Sequence, residues 1–201
     1  MINLTLPALP APLHWLNVPV ESTADSADAL RIVAGPETDW FNDPAGGPPK
    51  GNAPIALFTP PDATFTVSAQ VTVEFAATYD AAVLFLYESP DRWAKLCFEY
   101  SPQARPGVVS VVTRGVSDDC NSTLIDGNTV RLRLYRQGDT FAFHYSTDSR
   151  WWNLVRYFTL GPLNNLRAGF SAQSPTGPGC EVRFEKIRYG AAALANLRDG
   201  I

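Results

Sequence analysis

The residues best suited to chemistry sit on one strand-like run, Trp93-Ala-Lys-Leu-Cys-Phe-Glu-Tyr. Successive residues of a β-strand point to opposite faces, so Trp93, Lys95, Cys97 and Glu99 share one side, and Ala94, Leu96, Phe98 and Tyr100 the other. The second side is core. The first combines an aromatic ring, a cation and an anion in mid-strand, where a solvated face seldom places tryptophan. It reads either as a surface ladder with Trp93 covering a loop, or as a binding floor. In the second case Trp93 is a stacking platform, and Lys95 and Glu99 orient hydroxyls or move a proton.

Three other places carry candidates. In Thr129-Val-Arg-Leu-Arg-Leu-Tyr-Arg, alternation groups Arg131, Arg133 and Tyr135. On the same sheet face as Lys95 they would form a groove of fork-shaped donors; on a solvated face they would compensate cross-strand acids. Ser146-Thr-Asp-Ser-Arg-Trp-Trp-Asn is a turn with two adjacent tryptophans. Side chains of strand neighbours diverge, so one of Trp151 and Trp152 is expected at the surface, to stack a sugar or an apolar ligand, unless the turn plugs the sandwich. His144, between Phe143 and Tyr145, is either a hydrogen-bonded strand residue or a general base.

Several chemistries are excluded or disfavoured. The sequence holds no nucleophile elbow, HExxH, P-loop or dinucleotide fingerprint. Glycoside hydrolysis needs two facing carboxyls. Glu99 is one candidate, with Asp80, Asp118 or Asp119 as partner, but the acid-rich strand pattern of sandwich glucanases is missing. With 2 His and 3 Cys there are few soft ligands, so no metal or other cofactor is expected. A net charge of -4 argues against nucleic acid as a partner. No apolar run reaches the roughly 18 residues of a membrane span. The first residues lack a basic stretch and are interrupted by Pro7, Pro10 and Pro12, which reads as a poor secretory signal. An odd number of cysteines rules out a fully paired framework, and together these features point to the cytoplasm.

The 201 residues suffice for one domain. Period-two runs separated by turn residues recur along the chain: Phe65 to Phe75, Ala82 to Tyr87, Trp93 to Tyr100, Val108 to Arg114, Thr129 to Arg136, Thr140 to Ser146, Leu154 to Leu160, Leu166 to Ala172 and Glu181 to Tyr189. Such spacing predicts an all-β sandwich or barrel. Residues 43–54 (DPAGGPPKGNAP) read as a mobile surface loop of the kind that lines sites, and residues 191–201 as a tail able to form one short helix.

In chain order, Thr38-Asp39-Trp40, YDAA from Tyr79, WAKLCFEY from Trp93, SVVTRGVSD from Ser110, YRQGD from Tyr135, HYSTDSRWW from His144 and AGFSAQSPTG from Ala168 resemble one family. It is the regulation-of-enolase-type family of uncharacterised domains, in the concanavalin A-like lectin/glucanase superfamily, over about residues 13 to 190. The resemblance implies a jelly-roll sandwich of two antiparallel sheets, one of them concave. It also implies a ligand side near Asp80, Trp93, Lys95, Glu99, Ser117 and Asp118. Cys97 and the run Asp119-Cys120-Asn121 depart from the family pattern and would reshape the pocket floor and rim.

Three functions follow as expectations. One is a binding module for a carbohydrate or related polar small molecule. Another is a cofactor-independent isomerase, cyclase or pericyclase that holds a reactive conformer, with Lys95, Glu99, Arg131, Tyr135 or His144 as polar groups. The last is an interaction partner of a metabolic enzyme, or a homodimer, using Trp151 or Trp152.

Overall fold

The computed structural model describes residues 4–200. Alternation shapes almost every element. Along Thr64–Glu74 half-buried and buried positions alternate without a break, because Phe65, Val67, Ala69, Val71 and Val73 all turn inward. Ala81–Ser89 is apolar nearly throughout and buried on both faces, as a central strand covered on both sides must be.

Sixteen strands result among the described residues. Seven form a first sheet in the order β1 (His14–Leu16), β6 (Ile55–Phe58), β15 (Arg167–Gln173), β8 (Ala81–Ser89), β9 (Arg92–Tyr100), β10 (Pro106–Arg114) and β11 (Val116–Leu124). Seven form a second, in the order β14 (Asn153–Thr159), β13 (Thr140–Ser146), β12 (Thr129–Gln137), β7 (Thr64–Glu74), β16 (Cys180–Gly190), β3 (Ala29–Ala34) and β2 (Glu21–Ser26). The pairings within both sheets are antiparallel. Between the sheets lies the main core, to which β9 contributes Ala94, Leu96 and Phe98 and β12 contributes Val130, Leu132 and Leu134. The fold is thus the expected all-β jelly-roll sandwich.

All nine expected strands are present. The structure adds seven, of which β11 matters most for the site: its sequence VSDDCNSTL is polar on both faces and it pairs only with β10, as a charged edge strand does. Residues 43–54 contain β5 (Lys50–Gly51), which pairs with β4 (Trp40–Phe41). Segment 191–200 is not helical. It lies on the outer face of the second sheet and ends in a single turn closed by the Gly200 amide on the Asn196 carbonyl.

Beside the main core is a second apolar cluster, on the face of the first sheet turned away from the sandwich. Phe85, Tyr87, Trp93, Cys97 and Val111 lie there under Trp40 and Ala53. The sheet is tight at this point: a side chain at Gly169 would collide with the Ala56 carbonyl oxygen of β6. Cys97, Cys120 and Cys180 are free thiols. Among the described residues no helix is long and apolar enough to cross a membrane.

Candidate binding pocket

The register of the first sheet fixes which side chains share its outer face. One cross-strand row runs Gly169, Phe85, Lys95, Val111, Asp119; a second runs Gln173, Ala81, Glu99, Gly107. Over these rows passes a short strap, residues 38–42. At one end Thr38 bridges to Ser174. At the other, the Asn42 amide donates to the Ser117 hydroxyl (2.9 Å), the Asn42 side-chain amide donates to the Gly115 carbonyl (2.9 Å), and the Ser117 amide returns a bond to Asn42. Between the anchors, Trp40 packs edge-on against Phe85, Tyr87 and Trp93, with ring centroids 5.7 to 5.9 Å apart. Its indole N–H donates to the Ala53 carbonyl. That half of the face is filled.

The other half is open. Lys95, 3% exposed, donates from Nζ to Asp39 Oδ1 of the strap (3.2 Å) and to Gln173 Oε1 of β15 (3.0 Å). An ammonium has three hydrogens, so one is left for a ligand. Asp39 is fixed in turn by the Trp40 amide (2.8 Å), and the Gln173 amide group donates to the Tyr79 carbonyl. These groups border a cavity of about 300 Å³, floored by Lys95, Val111 and Glu99, with Asp119 at its rim. Phe41 and Tyr79 provide apolar walls, while Lys50 and Thr176 stand at the mouth.

Electrostatics set the protonation states. Burial pushes the Lys95 amine down, but Asp39, Cys97 and Glu99 pull it up further, so it stays an ammonium. For Glu99 burial dominates and Asp119 and Asp39 add to it, outweighing Lys95; its pKa is raised from 4.5 to about 8. Asp119 is also raised, first by desolvation. At neutral pH the pocket therefore holds an ammonium and a neutral carboxyl that can donate.

A pH dependence follows from Glu99. A carboxyl with a raised pKa contributes stability that is full below the unfolded value, near 4.5, and is lost as pH rises through about 8. Glu99→Gln abolishes that slope, so the variant gains in melting temperature relative to wild type from pH 5 to pH 9. Parallel melting curves across this range would contradict the assignment.

The other sequence candidates fall elsewhere. Trp93 is not a stacking platform: it is fully buried beneath Trp40, and its indole N–H donates to the Pro90 carbonyl (3.1 Å). Asp80 is fully buried and accepts from the amides of Ala76 and Ala77 and from the Ser174 hydroxyl (2.6 Å), which holds a turn together. Ser117 anchors the strap. Asp118 points away from the cavity and pairs with Arg156 (2.8 Å); the neighbouring Asp119 takes the inward position. Arg131, Arg133, Tyr135 and His144 are on the outer face of the second sheet, with the whole sandwich between them and Lys95, so the single groove does not form and His144 is not a base for this pocket. Trp152 lies near them, under Arg133, and Trp151 is 60% exposed. Asp39, Gln173, Tyr79 and Phe41 complete the site, and strand alternation points to none of them. Asp39 and Gln173 lie inside the TDW and AGFSAQ motifs, which is their one signal in the sequence. Among the described residues no cluster of three His, Cys, Asp or Glu could hold a metal ion.

No curated protein matches the sequence. Solved structures do resemble the fold. A functionally unknown protein from Saccharomyces cerevisiae has a TM-score of 0.81 at 23% identity, over 90% of this chain and 97% of that one. The xylan β-1,4-xylosidase of Bacillus halodurans C-125 has a TM-score of 0.67 at 13% identity over 82% of this chain, which spans 33% of the enzyme. The alginate lyase from Klebsiella pneumoniae has a TM-score of 0.57 at 11% identity, over 86% of this chain and 84% of that one. At these identities the likeness shows the sandwich fold, which is similar to that of carbohydrate-active proteins. The narrower regulation-of-enolase assignment is not carried by any of these matches. A family model described as a protein of unknown function, DUF1349, matches residues 15–192, nearly the whole length, and the chain belongs to that family.

Proposed function

We propose that the pocket binds a compact polyhydroxylated molecule, a small carbohydrate or a polar metabolite of similar size. The observation that carries this reading is the buried Lys95, held between Asp39 and Gln173 with one hydrogen free at the floor of a cavity of about 300 Å³. Hydroxyl groups both donate and accept, and the site offers both: Lys95 and neutral Glu99 as donors, Asp39 and Asp119 as acceptors. Phe41 and Tyr79 supply the apolar faces that a sugar ring stacks on. The volume is at the lower end of the range for small-molecule sites, roughly 300–1,000 Å³. That fold neighbours are named for xylan and alginate chemistry is consistent with a sugar-like ligand. The three free thiols agree with a reducing, cytoplasmic setting.

The test is a thermal-shift and calorimetric screen with neutral mono- and disaccharides, uronic acids and polar metabolites. At least one class is expected to raise the melting temperature, and Asp119→Ala is expected to weaken its binding about tenfold, the loss of one hydrogen bond. A panel that moves neither the melting temperature nor tryptophan fluorescence removes the reading.

A second reading, a cofactor-independent isomerase or cyclase, is favoured by Glu99. A carboxyl with a pKa near 8 beside a buried ammonium is matched to proton transfer at neutral pH. Turnover of a ligand from the screen, lost in Glu99→Gln while binding persists, selects it over simple binding. The partner reading rests on exposed Trp151 and keeps the pocket out of play.

A further inference from the structure

Arg131, Arg133, Tyr135 and His144 do not reach the pocket, but the second sheet brings them together. Arg133 is directly opposite His144 in the β12–β13 register, and Arg131 is two residues along on the same face. Arg133 is a buried residue, 7% exposed, and its guanidinium sits 4.2 Å above the Trp152 ring. Its Nε and Nη2, and Nε of Arg131, donate no hydrogen bond among the described residues. Guanidinium groups keep their charge, and buried charged donors left unsatisfied are costly enough that folds rarely retain them.

His144 adds a complementary feature. Its Nε2 is 2.8 Å from the Leu197 carbonyl oxygen, which only accepts, so Nε2 carries the hydrogen. The neutral ring then presents Nδ1 as an acceptor, and Nδ1 is buried with no partner among the described residues. Donors that suit an oxyanion thus lie next to an acceptor that suits one remaining acidic hydrogen.

The covering segment is tied to this cluster at Leu197, by the bond to His144, and more loosely on either side. Leu194 donates to the Tyr135 hydroxyl over a long 3.4 Å, and the last turn is seated by Gly200. A Cβ at Gly200 would strike Arg133 Nη2 and come 2.5 Å from Trp152 Cβ, and the residue has a φ of +74°, so only glycine lets the turn close here. Asp199 of the same turn is held by the Asn196 side-chain amide (2.8 Å).

We propose that the outer face of the second sheet is a binding site for a protonated phosphate group, either monohydrogen phosphate or the monoanion of a phosphate monoester. Arg133 and Arg131 donate to its bare oxygens, His144 Nδ1 accepts its hydrogen, and the end of the turn, Arg198–Gly200, is a cover that lifts to admit it while Leu197 stays bonded to His144. The site lies across the sandwich from the Lys95 pocket and does not depend on what that pocket binds.

The experiment is titration of the full chain with inorganic phosphate, methyl phosphate and sulfate at pH 7 and constant ionic strength, read by tryptophan fluorescence and calorimetry. Saturable phosphate binding is expected, with sulfate, which has no hydrogen to give, at least tenfold weaker. Gly200→Ala, which props the turn open, tightens phosphate several-fold; Trp152→Phe removes the fluorescence change and leaves the calorimetric signal. Arg133→Met abolishes binding, and Arg133→Lys, which keeps the charge without the fork, weakens it at least tenfold. Methyl phosphate binding as well as the free ion assigns the site to esters; binding of the free ion alone assigns it to inorganic phosphate. Both outcomes support the site. It is overturned if wild type and Gly200→Ala show no saturable phosphate binding, if sulfate equals phosphate, or if either Arg133 variant, folded by circular dichroism, binds phosphate unchanged.

Discussion

Lys95→Met is expected to lower the unfolding free energy by about 3–5 kcal/mol, the loss that follows removal of one partner from a buried ion pair. Asp39 is 9% exposed and its carboxylate would be left buried facing a methionine, while Gln173 Oε1 would lose its donor. The cost arises from the uncompensated carboxylate more than from the missing hydrogen bonds. Adding Asp39→Asn removes that charge, so the double variant recovers most of the stability. Urea unfolding at pH 7 of both variants measures this. A single variant that loses under about 1 kcal/mol, within the range of an exposed pair, would show that the ammonium is not buried against Asp39 as described.

Trp93→Ala is the second large effect, also about 3–5 kcal/mol, as for other buried tryptophans cut to alanine. The ring fills the space below Trp40 and beside Phe85 (centroids 5.5 Å apart), so its removal opens a void under the strap. Trp93→Phe keeps most of the packing and is expected to cost much less. Because the ring does not border the cavity, Trp93→Phe leaves affinity for any ligand of the pocket unchanged. Chemical denaturation and ligand titration of the two variants separate a core residue from a stacking platform: a large affinity loss in folded Trp93→Phe would restore the platform.

Alternation within a strand is readable from sequence because it depends only on neighbours. Lys95, Cys97 and Glu99 do share the outer face, and Leu96 and Phe98 do enter the core. Relations between strands are not readable in this way. Nothing in the runs around Lys95 and Arg133 says that their polar faces end up on opposite sides of the sandwich, since both are polar on one side and apolar on the other. The choice between Asp118 and Asp119 fails for a different reason. A one-residue shift exchanges the two faces of a strand, and β11 has no hydrophobic stripe to fix its phase. Asp39 and Gln173 meet Lys95 from 56 and 78 residues away, distances at which period-two reasoning has no reach. Trp93 passes for a platform in the sequence because its cover, Trp40, comes from a segment with too short a run to be recognised as a strand.

The strap divides the outer face of the first sheet. With Thr38 fastened to Ser174 on one flank and Asn42 fastened to Ser117 on the other, Trp40 occupies one half, and the Lys95 half is left uncovered and borders shallower depressions beside Lys50 and along Gly107 and Asn121. Anything that docks on this face lies on the Lys95 side of the strap and cannot extend along the sheet through the position that Trp40 fills.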